Sequence, residues 1–438
     1  MLSPHKHSIS KPAWAWALYD FANMGYAMIV LALIYPRFYR TFWADQLTVS
    51  QQTSSFNLCV FIASIIVALL APILGSLAAT GGLRKNLLIV FACLGITASI
   101  AIALVDKEYL WLVNCVYVFG TVSYYCSNIF FDSMLGTVSH ADNRNFISGL
   151  GFALGYTAGL LLIIVSSFWS ASVPEGDLVA QTAISRWHFV LGGCWWALFM
   201  LPLVMVIREE RKPLAIGFSE LVRNSLVNTW ETFLDILKVK HIFWFLIAYL
   251  FYIDGVNSII LNATSYGTAI GFSEREIGIG FLCVHVVGIP CALLFGWLAD
   301  KFGARKMILI AIVAYGFISL YGTVITNHPV NLFGFAIPEM YILASAIGMV
   351  QGGIQALSRA YFASIVPEDK AVAYFGFYSM LGKSAAIFGP LLIFLAAWIF
   401  DDPAQPLLGS RIGFGALTLL FILGAVCFVK SRPSAVEG

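Results

Sequence analysis

Apolar runs of about 20 residues recur along this chain from one end to the other, and a run of that length crosses a bilayer as a helix. Lipid offers no partner to a backbone amide, so a succession of such runs folds as a bundle of helices. Of 438 residues, 60% are hydrophobic and 11% charged, against roughly 25% charged in an ordinary soluble domain. The two or three soluble domains that the length alone would suggest are therefore set aside. The expected fold class is an all-α membrane protein with twelve transmembrane helices, at roughly 13–39, 54–79, 86–105, 109–138, 146–170, 187–207, 241–270, 276–299, 307–326, 337–364, 371–399 and 411–429. The first run holds Asp20, Asn23 and Tyr26. A signal peptide has a cleaner and shorter apolar core, so this run is expected to stay in the protein.

Lysine and arginine set the orientation of such a bundle. With the N-terminus inside, 17 of the 25 fall in inner loops and tails, six fall in outer loops, and Arg359 and Lys383 lie within spans. This predicts cytoplasmic termini on both ends of a multi-pass protein, and the compact tails suit a bacterial inner membrane. The longest inner segment, 208–240, divides the chain into six-span halves at 1–207 and 241–438. Its stretch from Trp230 to Lys238 has the mixed pattern of an amphipathic helix on a membrane surface. The outer loops are too short to form a domain, so the work is expected inside the membrane.

The halves repeat each other. Gly75–Lys85 and Gly296–Lys306 both read G-x-L-A-x-x-x-G-x-R-K, 221 positions apart, and only the second copy keeps an acid, Asp300, where the first has Ala79. Asp20-x-x-Asn23 is echoed by Asp254-x-x-Asn257 after 234 positions. Asp132 corresponds to Arg359, and Gly155-Tyr156 to Gly382-Lys383, both after 227. Nearly constant offsets are the mark of a duplicated six-helix unit. Parallel repeats of this kind place a substrate site near the bilayer midplane.

Ionisable groups inside spans are costly and are functional candidates by default. At 1.5 Å per residue, Asp20 lies roughly 14 Å deep and Asp254 roughly 20 Å deep. Asn23 and Asn257 share their faces. The two acids are expected either to receive a cationic group or protons, or to hold a neighbouring helix by hydrogen bonds. Lys383, near mid-depth among small residues, needs an anionic partner, which is Asp254, a substrate group or helix carbonyls. Asp132 and Arg359 sit near the inner ends of their spans, and their opposite charges at equivalent positions predict a gating pair between the halves. Tyr19 and Tyr26 are candidates for a cavity wall, and Trp14 and Trp16 for interface anchors. His285 and Glu339 are read mainly as packing and helix-end residues.

In the repeated loop, the glycines are expected to permit a tight turn. Asp300 is expected to cap a helix start, while cations such as Arg305 face anionic lipid. The expected target of the first half's loop is the start of span 5 near Asn145 and Phe146, and of the second half's loop the start of span 11.

All eight cysteines lie in apolar runs without a C-x-x-C pair, so neither a metal site nor a redox cofactor is expected. Asp401-Asp402 has no second acidic cluster, and no phosphate loop, H-E-x-x-H or G-x-S-x-G is present. An enzyme is not expected, nor is a nucleic-acid partner.

The repeated loop resembles the signature of the major facilitator superfamily. Ala15–Ala27, Tyr252–Val256, Gln355–Arg359 with Val366-Pro367, and Phe375–Tyr378 with Gly382-Lys383 and Gly389-Pro390 are similar to one branch of it, the autophagy-related vacuolar effluxer-like permeases. The resemblance covers essentially all twelve spans. It implies two pseudo-symmetric six-helix bundles and a link to amino-acid release. Ala79 departs from the superfamily pattern. Asp20, Asp254 and Lys383 then read as receivers of the two ends of a zwitterion. The expected function is secondary active transport of a small polar metabolite, an amino acid first, by rocker-switch alternating access with or without proton coupling, in a monomer needing no cofactor. A lipid or lysolipid flippase, a drug or siderophore exporter and a non-transporting receptor stay open as alternatives.

Overall fold

A computed structural model describes residues 9–432 apart from 82, 175, 210–217, 333, 385–387, 401–404 and 406. Asp401-Asp402 and the side chains of Ala79 and Lys383 lie outside the described residues. The chain is helical almost throughout. Its first half contains α1 (Lys11–Tyr26), α2 (Tyr35–Phe38), α3 (Val49–Gly81), α4 (Arg84–Leu104), α5 (Leu110–Ser133), α6 (Leu135–Val138), α7 (Arg144–Ala171) and α8 (Leu178–Val206). After α9 (Phe218–Lys238) come α10 (Lys240–Ile270), α11 (Glu274–Phe302), α12 (Ala304–Val324), α13 (Glu339–Ile365), α14 (Ala371–Ser384), α15 (Phe388–Ile399) and α16 (Leu408–Lys430).

Among the described residues, ten helices are long and apolar enough to cross a membrane. Two expected spans are not among them. Span 4 is α5, which is long but carries Asn114, Ser123, Ser127, Asn128 and Asp132. The described residues of span 11 fall in α14 and α15, on either side of 385–387. The loop between α12 and α13 forms an antiparallel hairpin pairing Val330 with Ile337.

Local chemistry explains the helix ends. Ser10 caps α1, its Oγ accepting from the Ala13 N–H at 3.2 Å, with Pro12 in the first turn where a missing N–H costs nothing. Ser273 and Glu276 form a reciprocal capping box at the start of α11. Between α11 and α12 the chain turns on the single residue Gly303, whose φ of 91° suits only glycine. Span 1 widens into π-helical turns at Ala27–Leu33 and Tyr39–Trp43, flanking Pro36. Proline lacks the N–H that a regular ladder needs there.

The chain divides into two compact units. Unit one is Met1–His140, Leu154–Thr229 and Pro367–Met380, and unit two is Ala141–Ala153, Trp230–Val366 and Leu381–Gly438. In unit one α4 packs on α5 and α8, α1 on α8, and α3 on α5. The equivalent pairings recur in unit two: α12 with α13 and α16, α10 with α16, and α11 with α13. The duplication read from the offsets is thus also a duplication of packing.

Each unit is completed by a helix start from the opposite half of the sequence. In unit two, the first turns of α7 lie against α11, and a Cβ on Gly149 would stand 2.6 Å from the Ala292 carbonyl oxygen. In unit one, the first turns of α14 lie against α3, and a Cβ on Gly376 would stand 2.5 Å from the Ala71 oxygen. Gly149 and Gly376 are 227 positions apart, and Ala71 and Ala292 are 221 apart, so this is one contact made twice. Small residues let helix backbones approach this closely in lipid. We expect Gly149→Val and Gly376→Val each to cost about 1–3 kcal/mol by overpacking and to lower the melting temperature of the purified protein. Gly278→Ala, which meets no atom within 4 Å, should melt like the parent; equal melting of all three variants would refute the close contacts.

Candidate functional site

The most buried acid among the described residues is tied to a helix start. Asp254 sits near the middle of α10 and is fully buried. Its Oδ2 accepts from the Phe388 N–H at 2.8 Å, and its Oδ1 from the Gly389 N–H at 2.9 Å and the Ser258 hydroxyl at 3.1 Å. Phe388 and Gly389 open α15, whose first amides have no carbonyl of their own helix to bind. A carboxylate aimed at these N–H groups satisfies them and faces the positive end of the helix dipole. Of the two roles expected for this acid, the structure displays the holding of a neighbouring helix. Glycine is required at 389, because a Cβ there would fall on the Ser258 hydroxyl. Asn257, one turn along, is half-buried.

The middle of α10 also gathers other sequence motifs. The Tyr252 hydroxyl lies 2.6 Å from the Ser358 hydroxyl, which in turn donates to the Ile354 carbonyl. Next to Ser358, Arg359 is almost fully buried. Its Nε donates to Ser148 Oγ at 3.0 Å and its Nη2 to the Ser148 carbonyl at 3.2 Å, while its guanidinium lies over the Phe152 ring at 4.7 Å. Ser148 Oγ donates onward to the Ala356 carbonyl at 2.7 Å. Ser148 and Phe152 are on α7, so Arg359 binds the helix start that completes unit two. Asp132 belongs to unit one, at the end of α5.

Asp300 acts on that same helix start. Its Oδ1 accepts from Asn145 Nδ2 at 2.8 Å and its Oδ2 from the Phe146 N–H at 3.1 Å. The capping role and the target near Asn145 and Phe146 are as expected, but the assignment of loops to targets is reversed. The second half's loop reaches span 5, and in unit one α3 of the first half meets the start of span 11 through Gly75 and Gly376. The motif cations differ from expectation too. Arg305 donates to the Phe428 and Val429 carbonyls at 2.9 and 2.8 Å, closing the C-terminal end of α16. Lys85 donates to the Val204 and Ile207 carbonyls at 2.7 and 2.5 Å at the end of α8, and Arg84 pairs with Glu209 at 2.9 Å. Arg305 and Lys85 thus complement the negative ends of helices, and Arg84 binds an acid, rather than lipid headgroups.

In unit one, Asp20 is partly exposed on α1, its backbone close to Gly155 of α7. Asn23 donates to the Asn128 side-chain oxygen at 2.9 Å, and the Tyr26 hydroxyl lies 3.3 Å from that of Thr121. Tyr19 and Tyr26 are fully buried among rings of α5 and α8, so in this structure they pack rather than line open space. Trp16 is also no interface anchor: it is buried, stacked on Phe131, and donates to the Phe131 carbonyl at 2.8 Å. Trp14 remains exposed. Glu339 accepts from Thr326 and Tyr321 at the outer end of α13, and His285 bonds its own helix through the Phe281 carbonyl. Sequence reasoning missed Ser148, Ser258, Asn128 and the two amides of α15. Only the Gly389-Pro390 pair signalled a helix start inside span 11.

Motif stretches far apart in sequence therefore meet around α10: Tyr252-Ile253-Asp254 touches both Ser358 and Gly389. A family model described as "Vacuole effluxer Atg22 like" matches residues 10–145 and 136–432. The chain belongs to this family. The uncharacterized MFS-type transporter YxiO of Bacillus subtilis is 31% identical to it over 428 residues, covering 96% of this chain and 95% of that protein. Autophagy-related protein 22 of Saccharomyces cerevisiae (strain S288c) is 25% identical, over 78% of this chain and 72% of the yeast protein. Among solved structures, the proton:xylose symporter XylE superposes with a TM-score of 0.69 at 15% identity, covering 95% and 94% of the two chains. The human organic anion transporter MFSD10 gives 0.67 at 15% identity, covering 95% and 99%. These place the Atg22-like chain in the major facilitator fold, as a multi-pass membrane transporter and not an enzyme.

Two outcomes test the site geometry. Asp254→Ala removes a cap and buried charge-assisted bonds, each worth about 1–3 kcal/mol. It should lower the melting temperature by more than Ser258→Ala does; the reverse order would contradict the capping arrangement. Asp300→Ala should expose α7 to cleavage at its first turn, read as faster limited proteolysis near Asn145 in the purified protein.

Proposed function

We propose that this family member is a secondary active transporter of a small polar metabolite, an amino acid first, working by rocker-switch alternating access. The observation that carries this reading is the fully buried Asp254 carboxylate at the start of a helix inside a membrane span. Half-helix termini at mid-membrane are where transporters of several folds handle charged substrate groups and coupling ions. Asp254 engages α15 in the conformation described, so a substrate ammonium or a proton would compete with two backbone amides for the carboxylate. Asp20, with Asn23, is the proposed counterpart in the first half. Lys383 is proposed for the substrate's carboxylate. Arg359 and Asp300 act on the start of α7, which fits a gating role, and Asp132 and Arg305 are proposed as further gating residues.

The reading extends to twelve spans in halves 1–207 and 241–438 about a linker at 208–240. It also extends to cytoplasmic termini in a bacterial inner membrane, to a monomer, and to protons as the coupling ion. The description of the family, a vacuole effluxer, supports an efflux relationship at the level of the family. One observation favours a second reading, a lipid flippase. A pocket in unit two is walled by apolar side chains, among them Ile259, Phe281, Met340, Leu343 and Ile347, and fits an acyl chain better than a zwitterion.

Counterflow in proteoliposomes tests the proposal. Vesicles preloaded with unlabelled amino acids should accumulate a labelled subset saturably, and Asp254→Asn and Asp20→Asn should reduce that uptake at least ~10-fold, the loss of roughly 1.4 kcal/mol of binding or more. Stimulation by an inward proton gradient would support coupling. No uptake by folded protein, together with movement of labelled lysolipid between leaflets, would replace the amino-acid reading with the flippase.

A further inference from the structure

The helix between the halves presents three distinct faces. Along α9, Ser225, Thr232 and Ile236 are buried, and Thr229 donates from its hydroxyl to Ser76 Oγ at 3.0 Å and lies 3.4 Å from the Pro72 carbonyl of α3. Leu226, Trp230, Phe233 and Leu237 are instead exposed, at 50%, 62%, 37% and 46%. Their spacing of i, i+4, i+7 and i+11 makes one continuous stripe, about a quarter turn from the buried face at 3.6 residues per turn. Glu220, Glu231, Asp235 and Lys238 cluster on the side opposite the exposed stripe. Four large apolar side chains in a row are not left to water without cause.

The position of α9 limits what covers them. Only Val239 separates its last residue, Lys238, from Lys240, the first residue of the membrane-spanning α10. The ladder runs almost unbroken through that joint, with the Val239 N–H on the Asp235 carbonyl and the Phe243 N–H on that of Val239. The end of α9 therefore lies at the membrane boundary. Thr229 fixes its middle to the end of a second span, α3. A helix continuous with a span, with an apolar stripe on one side and acids on the other, lies in the headgroup plane. Trp230 in the stripe and Arg223 and Lys240 at its ends are the residue types of that boundary.

We propose that α9 is a monotopic interfacial helix whose Leu226–Trp230–Phe233–Leu237 stripe inserts into the leaflet at the start of α10. Its occupant is the lipid surface itself. This inference does not depend on the transported substrate.

Spin-label accessibility of the full chain in phosphatidylcholine–phosphatidylglycerol vesicles tests it. Labels would be carried on Leu226→Cys, Trp230→Cys, Phe233→Cys and Leu237→Cys, and for comparison on Glu231→Cys and Lys238→Cys, with the native cysteines replaced. The stripe should relax with lipid-soluble oxygen, and Glu231 and Lys238 with a water-soluble nickel chelate. Nickel access along the stripe equal to that at Glu231 would overturn the proposal. So would protection from both reagents, which would mean that protein covers this face. If the cysteine-free background fails to fold, brominated lipids decide in the native one. The fluorescence lost in Trp230→Phe should be quenched more by bromines near the headgroup than by those at the chain end; absence of quenching would again overturn it.

Discussion

Inside a bilayer an uncapped backbone amide has no water to turn to, and this one constraint organises the second half of the chain. At four helix ends a side chain from elsewhere in the chain answers for the backbone. Asp254 answers for the start of α15, Asp300 for the start of α7, Arg305 for the end of α16, and Lys85 for the end of α8. The charges that sequence composition marks as expensive are those that settle the backbone's unpaired groups. Their cost in desolvation is offset because each charge binds more than one polar group at once.

This places structure and function on the same residues. Asp254 is both the cap of a helix and the only fully buried carboxylate among the described residues. A group that binds Asp254 changes what holds α15. Arg359 is likewise bound to α7 through Ser148, so movement of α7 cannot leave Arg359 unaffected. In the proposed function, binding and conformational change would be joined by these shared hydrogen-bond partners.

Much of this is legible in the sequence. Apolar runs locate the helices, and constant offsets disclose the duplication that recurs as packing. The depth of Asp254 within its apolar run is enough to single it out. Its partners stay hidden, because the amides of Phe388 and Gly389 look like any others until a helix is known to begin there. The target of Asp300 falls to the wrong half for a related reason. A repeat tells which positions are equivalent, but not whether a loop contacts its own half or the other copy's counterpart. Trp16 reads as an anchor because tryptophan near a span's start is ordinarily interfacial, and only the Phe131 carbonyl gives its indole a reason to turn inward.

The cations at the starts of α4 and α12 carry a consequence for how the chain is made. Lys85 waits for the carbonyl of Ile207, 122 residues later, and Arg305 for that of Phe428, 123 residues later. During synthesis, α4 and α12 therefore enter the membrane with their basic ends unanswered until α8 and α16 arrive. Closure of each half is a late event, completed by its last helix. A chain that stalls before residue 207 or 428 leaves a cation and a set of bare carbonyls that a quality-control protease or chaperone can read as unfinished.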